Sequence, residues 1–237
     1  MYEVRNIAFS YGDTPVLRDV SFMVSPGEAV AVVGANGAGK TTLMRVLSTL
    51  AVPTSGRVMI DGQDALMRPL RYLRQLGYLP ENPSLYDDMS VKDYLTYRAQ
   101  LKGELPKRIR RRVGEALEVC MLTDSRNRPL RLLSAGLRKR TALADAILLR
   151  PRVLLLDDFL AGIDRTMREA FEAIVPAVAA FSSVIATGHE LEDLARWATR
   201  FLVLRNGVIS AEISTAGMER MAAVKAVESA MKGEILK

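Results

Sequence analysis

The sequence predicts an α/β fold: a mostly parallel sheet with an antiparallel β subdomain at the N-terminus and a helical subdomain inserted at about residues 84–150. Three observations predict it. Ala29–Val33, Val153–Leu156 and Val184–Thr187 are short, nearly continuous apolar runs, the pattern of strands covered on both faces. Between them lie segments with apolar residues at helical spacing. Turn-rich, alternating stretches occupy the first 33 residues and residues 201–213, where short antiparallel additions belong.

Each element has a local reason. Glu3–Phe9 reads as a strand, Tyr11–Pro15 as a turn and Val16–Val24 as a second strand. Ser25-Pro26-Gly27-Glu28 turns the chain into Ala29–Val33. Thr41–Leu50 has helical spacing. Arg57–Ile60 is a short strand closed by Asp61-Gly62, and Leu76–Leu79 is another, ended by Pro80. Ser90 suits the N-cap of a helix through Leu101, and Pro106 the first turn of the next. There Ile109, Val113, Ala116, Leu117, Cys120 and Met121 recur at helical spacing, which places them in the core. Ser134 opens a helix to Leu149. Arg165–Ala180 is helical with a bend at Pro176. Asn206-Gly207, between Phe201–Leu204 and Val208–Ile213, is a hairpin signal. An amphipathic helix at about 216–232 follows, with methionines for packing. No long linker or repeat interrupts the chain, so residues 1–237 read as one folding unit.

Composition narrows the function classes. The 237 residues carry 33 Lys and Arg against 27 Asp and Glu, a net charge of +6. With 49% hydrophobic, 25% charged and 6% aromatic residues, the chain has ample material for a core and is not a disordered one. A single cysteine excludes an internal disulfide framework and fits a reducing compartment. No apolar run precedes the first charges, so no signal peptide is expected. The nearest candidate membrane span, Ala173–Gly188, contains Pro176, Ser182, Ser183 and Thr187. It is too short and too polar; a buried helix followed by a buried strand explains it. Basic residues crowd between Arg98 and Arg152, in PKRIRRR and RNRPLRLLSAGLRKR. They read as a solvated helix face near a nucleotide, with an anionic membrane surface or nucleic acid as alternatives. No aromatic interleaving favours single-strand binding.

The chemistry is carried by four motifs. Gly34, Ala35, Asn36, Gly37, Ala38, Gly39, Lys40 and Thr41 match the phosphate-loop pattern, with an apolar strand before and a helix after. Small residues let the backbone curl its N–H groups inward at phosphates. The helix aims its positive end at the same anion. Lys40 adds a mobile charge, and the Thr41 hydroxyl suits Mg²⁺. Second, Val153–Leu156 delivers Asp157 and Asp158 to a strand's C-terminal end, where ligands bind in open parallel sheets. Asp157 is placed to hold Mg²⁺ through water, and Asp158 to orient or deprotonate an attacking water. Third, Leu133-Ser134-Ala135-Gly136-Leu137 opens a helix: an ordinary N-cap, or a second phosphate contact. Fourth, His189, the only histidine, follows the strand Val184–Thr187.

In this order the motifs resemble those of the nucleotide-binding subunit of an ATP-binding cassette (ABC) transporter, over roughly residues 2–210. The fold implied is that of a P-loop NTPase, RecA-like at its centre. Under this resemblance Gly34–Thr42 is the Walker A loop, with Thr42 part of the ATP site, and Tyr11 is the aromatic that stacks on adenine. Leu76-Gly77-Tyr78-Leu79-Pro80-Glu81 is the segment whose last residue touches Mg²⁺ and water. Ser134, Ala135 and Gly136 belong to the signature motif, Asp157 and Asp158 are the Walker B pair, Ala161–Asp164 is the D-loop and His189 is the switch histidine.

The resemblance implies an ATPase using ATP and Mg²⁺. It closes head to tail with a second nucleotide-binding subunit, so that each ATP lies between one Walker A loop and the partner's signature helix. Symmetry favours a homodimer over a heterodimer. Separately encoded transmembrane permease subunits are the other partners, giving a cytoplasmic protein peripheral to the cell membrane, with no specific nucleic acid expected. The GYLPE segment and the short chain resemble the export type. Glu81 stands where glutamine is usual, Asp158 where glutamate is, Phe159 where proline is, Ala135 and Leu137 where glycine and glutamine are, and Gly188 where serine or threonine is. Because Asp158 is one methylene short, slow hydrolysis is expected. Two alternatives remain: a soluble ABC ATPase acting on nucleic acid or ribosomes, and a nucleotide-gated assembly module with little turnover.

Overall fold

The computed structural model describes residues 1–65 and 67–233. Within them lies a ten-stranded sheet in the order β5-β4-β1-β2-β10-β9-β3-β8-β7-β6. The parallel part comprises β9 (Arg200–Arg205), β3 (Ala29–Val33), β8 (Ser183–Thr187), β7 (Val153–Leu156) and β6 (Leu76–Leu79). The antiparallel part comprises β1 (Tyr2–Tyr11), β2 (Thr14–Val24), β4 (Ser55–Ile60) and β5 (Gln63–Asp64). The hairpin strand β10 (Val208–Ser214) runs antiparallel to β9 and joins the two parts by a parallel bridge, Val208 to Asp19. The predicted antiparallel subdomain, β1, β2, β4 and β5, extends the same sheet as the parallel strands.

The strands predicted at Ala29–Val33, Val153–Leu156 and Leu76–Leu79 have those bounds. β3 alternates strictly. Ala29, Ala31 and Val33 enter one apolar core with the helices, while Val30 and Val32 enter a second core with β1, β2 and the phosphate-loop helix. A strand buried on both faces at the sheet's centre explains the unbroken apolar run.

The helices are α1 (Lys40–Leu47), α2 (Pro69–Leu73), α3 (Val91–Leu101), α4 (Pro106–Val119), α5 (Ala135–Ile147), α6 (Arg165–Ala179), α7 (Leu191–Leu194) and α8 (Arg220–Lys232). Ser90 caps α3 by accepting the Asp93 N–H at 3.1 Å, and Asp164 caps α6 by accepting the Met167 N–H at 2.9 Å. Pro176 lies inside α6. The C-terminal helix starts later than the predicted 216, because Thr215–Met218 make a turn first, closed by Met218 N–H to Thr215 O at 3.0 Å. Cys120 is fully buried, as its spacing predicts. Met121 is not: it lies beyond α4 with a left-handed φ of 53° and is exposed, so the helical period does not reach it.

Much of the basic block is neutralised within the chain. Arg98 and Lys102 flank Asp145, Arg112 pairs with Glu104 and Glu115, and Arg138 with Asp87. No helix among the described residues is long and apolar enough to cross a membrane.

Candidate active site

The parallel strands end on one edge of the sheet, and the residues that follow them meet there. A cleft of about 340 Å³ is lined by Val16, Asn36, Gly37, Gly39, Lys40, Thr41, Thr42, Asp158, Thr187 and His189. Chain segments more than a hundred residues apart thus share one cavity, at the position where open α/β sheets bind ligands.

The loop between β3 and α1 is built by close approach. A Cβ on Gly34 would lie 2.2 Å from the Leu204 carbonyl of β9, so only glycine fits. Gly39 takes a φ of 106° to start α1, and its carbonyl accepts the Leu43 N–H at 2.8 Å. The Lys40 side chain folds back over the loop. Its ammonium donates to the carbonyls of Gly34 at 2.8 Å and Ala35 at 3.1 Å, leaving a third proton for the cleft. Burial lowers the Lys40 pKa, while the nearby Asp158 and Asp157 work to raise it.

Asp157 is buried at the end of β7. Its Oδ1 accepts the Thr187 hydroxyl proton at 2.8 Å, and its Oδ2 lies 3.5 Å from the Tyr78 hydroxyl. Burial raises its pKa; Asp158 and Glu81 push it the same way, while the bonds from Thr187 and Tyr78 oppose the rise. Asp158 has a left-handed φ of 41°, and its N–H donates to Thr187 Oγ1 at 2.9 Å. Phe159, where proline was the expectation, is fully buried in edge contact with Phe171 at 5.2 Å and tilted toward Trp197 at 6.0 Å.

The donor set fits Mg²⁺. The Thr41 hydroxyl and the Asp157 and Glu81 carboxylates offer only oxygen, and the neighbouring carboxylates push the Asp157 pKa up in a way a cation would relieve. Among the described residues, no group of three His, Cys, Asp or Glu side chains forms a metal site alone.

Other predicted residues lie outside this cleft. Tyr11 sits half exposed at the end of β1, edge-on to Phe9 at 4.8 Å, with its hydroxyl 3.5 Å from Arg45 of α1. Val16, not Tyr11, lines the cleft. Ser134 and Ala135 are exposed at the start of α5. Ser134 Oγ accepts the Leu137 N–H at 3.3 Å, so it acts as an N-cap and keeps its own proton free to donate. Gly136 has an internal reason to be glycine: a Cβ there would lie 2.2 Å from Met167 Cγ. Ala135 does not have a positive φ, so its methyl group is tolerated by the backbone.

Three residues enter to which the motifs give no role. Thr187 links the two aspartates, Tyr78 approaches Asp157, and Lys139 contacts the loop after Asp158. Thr187 had a sequence signal, a hydroxyl ending an otherwise apolar strand. Tyr78 and Lys139 had none, since their roles depend on which elements become neighbours.

Fold and cleft define a nucleotide-dependent α/β protein built around a phosphate loop. The ABC transporter family profile matches residues 17–161. The ABC transporter ATP-binding protein YxlF of Bacillus subtilis (strain 168) is 31% identical over 210 residues, 89% of this chain and 70% of that protein. The spermidine/putrescine import ATP-binding protein PotA of Legionella pneumophila subsp. pneumophila (strain Philadelphia 1 / ATCC 33152 / DSM 7513) is 33% identical over 88% of this chain. The sulfate/thiosulfate import ATP-binding protein CysA of Photorhabdus laumondii subsp. laumondii is 35% identical over 87%. The chain spans only 58% and 59% of the length of these two import proteins. A solved ATP-binding subunit of an ABC transporter superposes with a TM-score of 0.84 at 26% identity, over 98% of this chain and 99% of that one. A dimeric ATP-binding cassette bound to ADP and Pi shares the fold, with a TM-score of 0.80 at 21% identity, over 92% of this chain and all of that one. The chain belongs to the ABC transporter family and is one of its ATP-binding cassettes, an ATPase.

Proposed function

We propose that the chain is the motor subunit of a transporter, binding ATP tightly, closing head to tail with a second cassette and hydrolysing slowly. One observation carries this reading: Lys40, Asp157, Asp158 and His189 converge on one edge of the sheet, while Ser134 stands exposed outside the cleft with a proton to donate. An exposed signature helix is explained if its phosphate belongs to another cassette's loop. A homodimer is the simplest arrangement.

In this reading the N–H groups of residues 34–42 and the Lys40 ammonium hold the phosphates. Thr41, Asp157 and Glu81 would hold Mg²⁺, which supplies charge neutralisation between phosphate oxygens. Asp158 orients the attacking water and accepts its proton, with His189 facing the same cleft. Asp158 is shorter than glutamate, and a misplacement of about 1 Å costs on the order of 10²-fold in rate. Slow turnover follows.

The chain reads as one cassette, with its helical subdomain at about 84–150 and its permease contact where that subdomain meets residues 70–76. A groove of about 570 Å³ at its border is lined by Leu70, Leu73, Leu76, Leu101 and Leu149, with Arg71 and Arg74 at hand and Lys102 paired with Asp145. Its apolar floor and cationic groups suit an amphipathic cytoplasmic helix of a permease that carries a carboxylate. In this reading the protein works on the cytoplasmic face of a membrane. The two relatives above whose names state a direction are importers, so the export type expected from sequence draws no support from them, and no direction is proposed. The nucleic-acid reading is not carried forward, because carboxylates of the chain itself take up so many of the basic cations.

Equilibrium binding of ATP with magnesium tests the site: Lys40→Ala should weaken it at least about tenfold, a loss of roughly 1.4 kcal/mol. Unchanged affinity would overturn the assignment. Steady-state phosphate release tests the turnover claim. Asp158→Glu should accelerate it, and no gain would remove Asp158 as the cause of slowness.

A further inference from the structure

Lys139 lies on α5, five residues after the Ser134 cap, and reaches away from its own helix. Its ammonium donates to the carbonyl of Phe159 at 3.2 Å and to that of Ala161. Both carbonyls belong to the turn that follows β7. Within that turn the Ala161 N–H returns to the Asp158 carbonyl at 3.1 Å, and Asp158 itself holds a φ of 41°. One side chain therefore fastens the helix opened by Ser134 to the loop that carries Asp158.

The turn needs holding. A non-glycine residue in the left-handed region costs on the order of 1 kcal/mol, less for aspartate than for most. The neighbouring Thr187 hydroxyl secures the N–H of Asp158, and the buried Phe159 ring anchors the next residue. The carbonyls of the turn point to Lys139. Two of the three ammonium protons are directed at them, so the geometry of the loop, and not only its charge, depends on this side chain.

Electrostatics adds a second reason. The Asp158 and Glu81 carboxylates lie near enough to raise the Lys139 pKa, against a larger lowering by burial. No ion pair within 4.0 Å joins them to Lys139 among the described residues, and its hydrogen bonds go to the two carbonyls of the turn. Glu81, Asp157 and Asp158 then share two neighbouring cations, Lys40 and Lys139.

The geometry points to Lys139 as a positioning residue for hydrolysis: by holding the Phe159 and Ala161 carbonyls it keeps the Asp158 turn closed and its carboxylate directed into the cleft shared with Lys40 and His189. The short aspartate makes this matter, since with one methylene fewer its carboxylate depends more closely on where the backbone stands. The inference rests on the reading of Asp158 as the group that handles the attacking water.

The test is a split between turnover and binding. Lys139→Met should lower kcat for ATP by about tenfold or more, the scale of a sub-ångström to 1 Å misplacement, while KM and ATP affinity stay within about twofold. Lys139→Arg, which restores charge and donors, should recover kcat to within about threefold of wild type. Lys139→Gln, which restores donors without charge, covers the case in which the methionine variant fails to fold, and should fall between the two. The proposal is overturned if Lys139→Met turns over ATP at the wild-type rate, if kcat and affinity fall together, or if Lys139→Arg is as slow as Lys139→Met. Wild-type protein that binds ATP and never hydrolyses it would instead overturn the reading of Asp158, leaving the two failures distinguishable.

Discussion

The Thr187 hydroxyl serves two consecutive residues at once, donating its proton to Asp157 Oδ1 at 2.8 Å while accepting the Asp158 N–H at 2.9 Å. A single β8 oxygen thereby ties the Asp157 carboxylate to the backbone of Asp158 at the end of β7. Thr187→Val keeps the shape and removes the oxygen. It strands the Asp158 N–H and takes one donor from a buried carboxylate. We expect a loss of about 1–3 kcal/mol by urea unfolding, with a fall in ATP turnover, and restoration of both by Thr187→Ser.

Asp157 is held in its charged form at a cost. Burial raises its pKa above that of an unfolded carboxylate, so between the two values the folded chain binds more protons than the unfolded one. Stability from this group is therefore present at low pH and lost as pH rises through the raised value. Asp157→Asn removes the dependence and keeps an oxygen for Thr187. In the absence of magnesium and nucleotide, its melting midpoint near neutral pH should exceed that of wild type by roughly 2–4 °C, the shift for about 1 kcal/mol in a chain of this size. The advantage should shrink toward acid pH, and magnesium-dependent hydrolysis should be lost.

Gly34→Ala forces a methyl group to within 2.2 Å of the Leu204 carbonyl, which belongs to the neighbouring strand. Backbone must move to admit it. Thermal unfolding should show a loss of about 1–3 kcal/mol, the scale of overpacking, and ATP binding should fall with it. Ala38→Gly, in the same loop, should leave the fold within about 1 kcal/mol of wild type.

The signature segment separates packing from chemistry. Gly136→Ala meets the Met167 side chain, whereas Ala135→Gly meets no backbone constraint. Gly136→Ala should lower stability by about 1–3 kcal/mol, and Met167→Ala added to it should recover part of that loss in a double-mutant cycle. Ala135→Gly should leave ATP turnover within about twofold.

Leu70 and Leu73 line the groove proposed for the permease, and both are exposed. Leu70→Glu should leave ATP binding by the isolated chain unchanged, within about twofold, since an exposed surface substitution costs little. Its co-purification with membranes should fall. Retention at wild-type levels would place the permease contact elsewhere.

Much of this architecture is legible in the residues because its signals are local. Five apolar residues at Ala29–Val33, followed by small residues and Lys40, specify strand, loop and helix with no help from the rest of the chain. Short elements escape for the opposite reason. Gln63–Asp64 is a strand only because Met59 and Ile60 pair with it, and Pro69–Leu73 and Leu191–Leu194 are too short to show a period. Tyr72 shows the same limit at a side chain. Its hydroxyl donates to the Leu47 carbonyl at 2.6 Å and receives the Tyr2 hydroxyl at 2.8 Å, a chain of contacts linking three elements that no spacing announces. The strand-end acids were visible as motifs. Of their supports, Thr187 left a trace as the hydroxyl ending an apolar strand, while Tyr78 and Lys139 became visible only once β6 lay beside β7 and α5 brought a side chain to the turn after it.

The alternation along β3 makes that strand a party wall between two rooms. Every residue in it is a brick seen from one room only, yet none can swell or shrink without the plaster cracking in both. The bend at Gly34 hangs from the end of this wall, so its curvature is braced from either side before any anion arrives. Preorganisation of this kind leaves little to be ordered when phosphate arrives, and a substitution as mild as Val32→Ala, on the strand position paired with Thr187 and with its side chain in the core of the phosphate-loop helix, should be felt there.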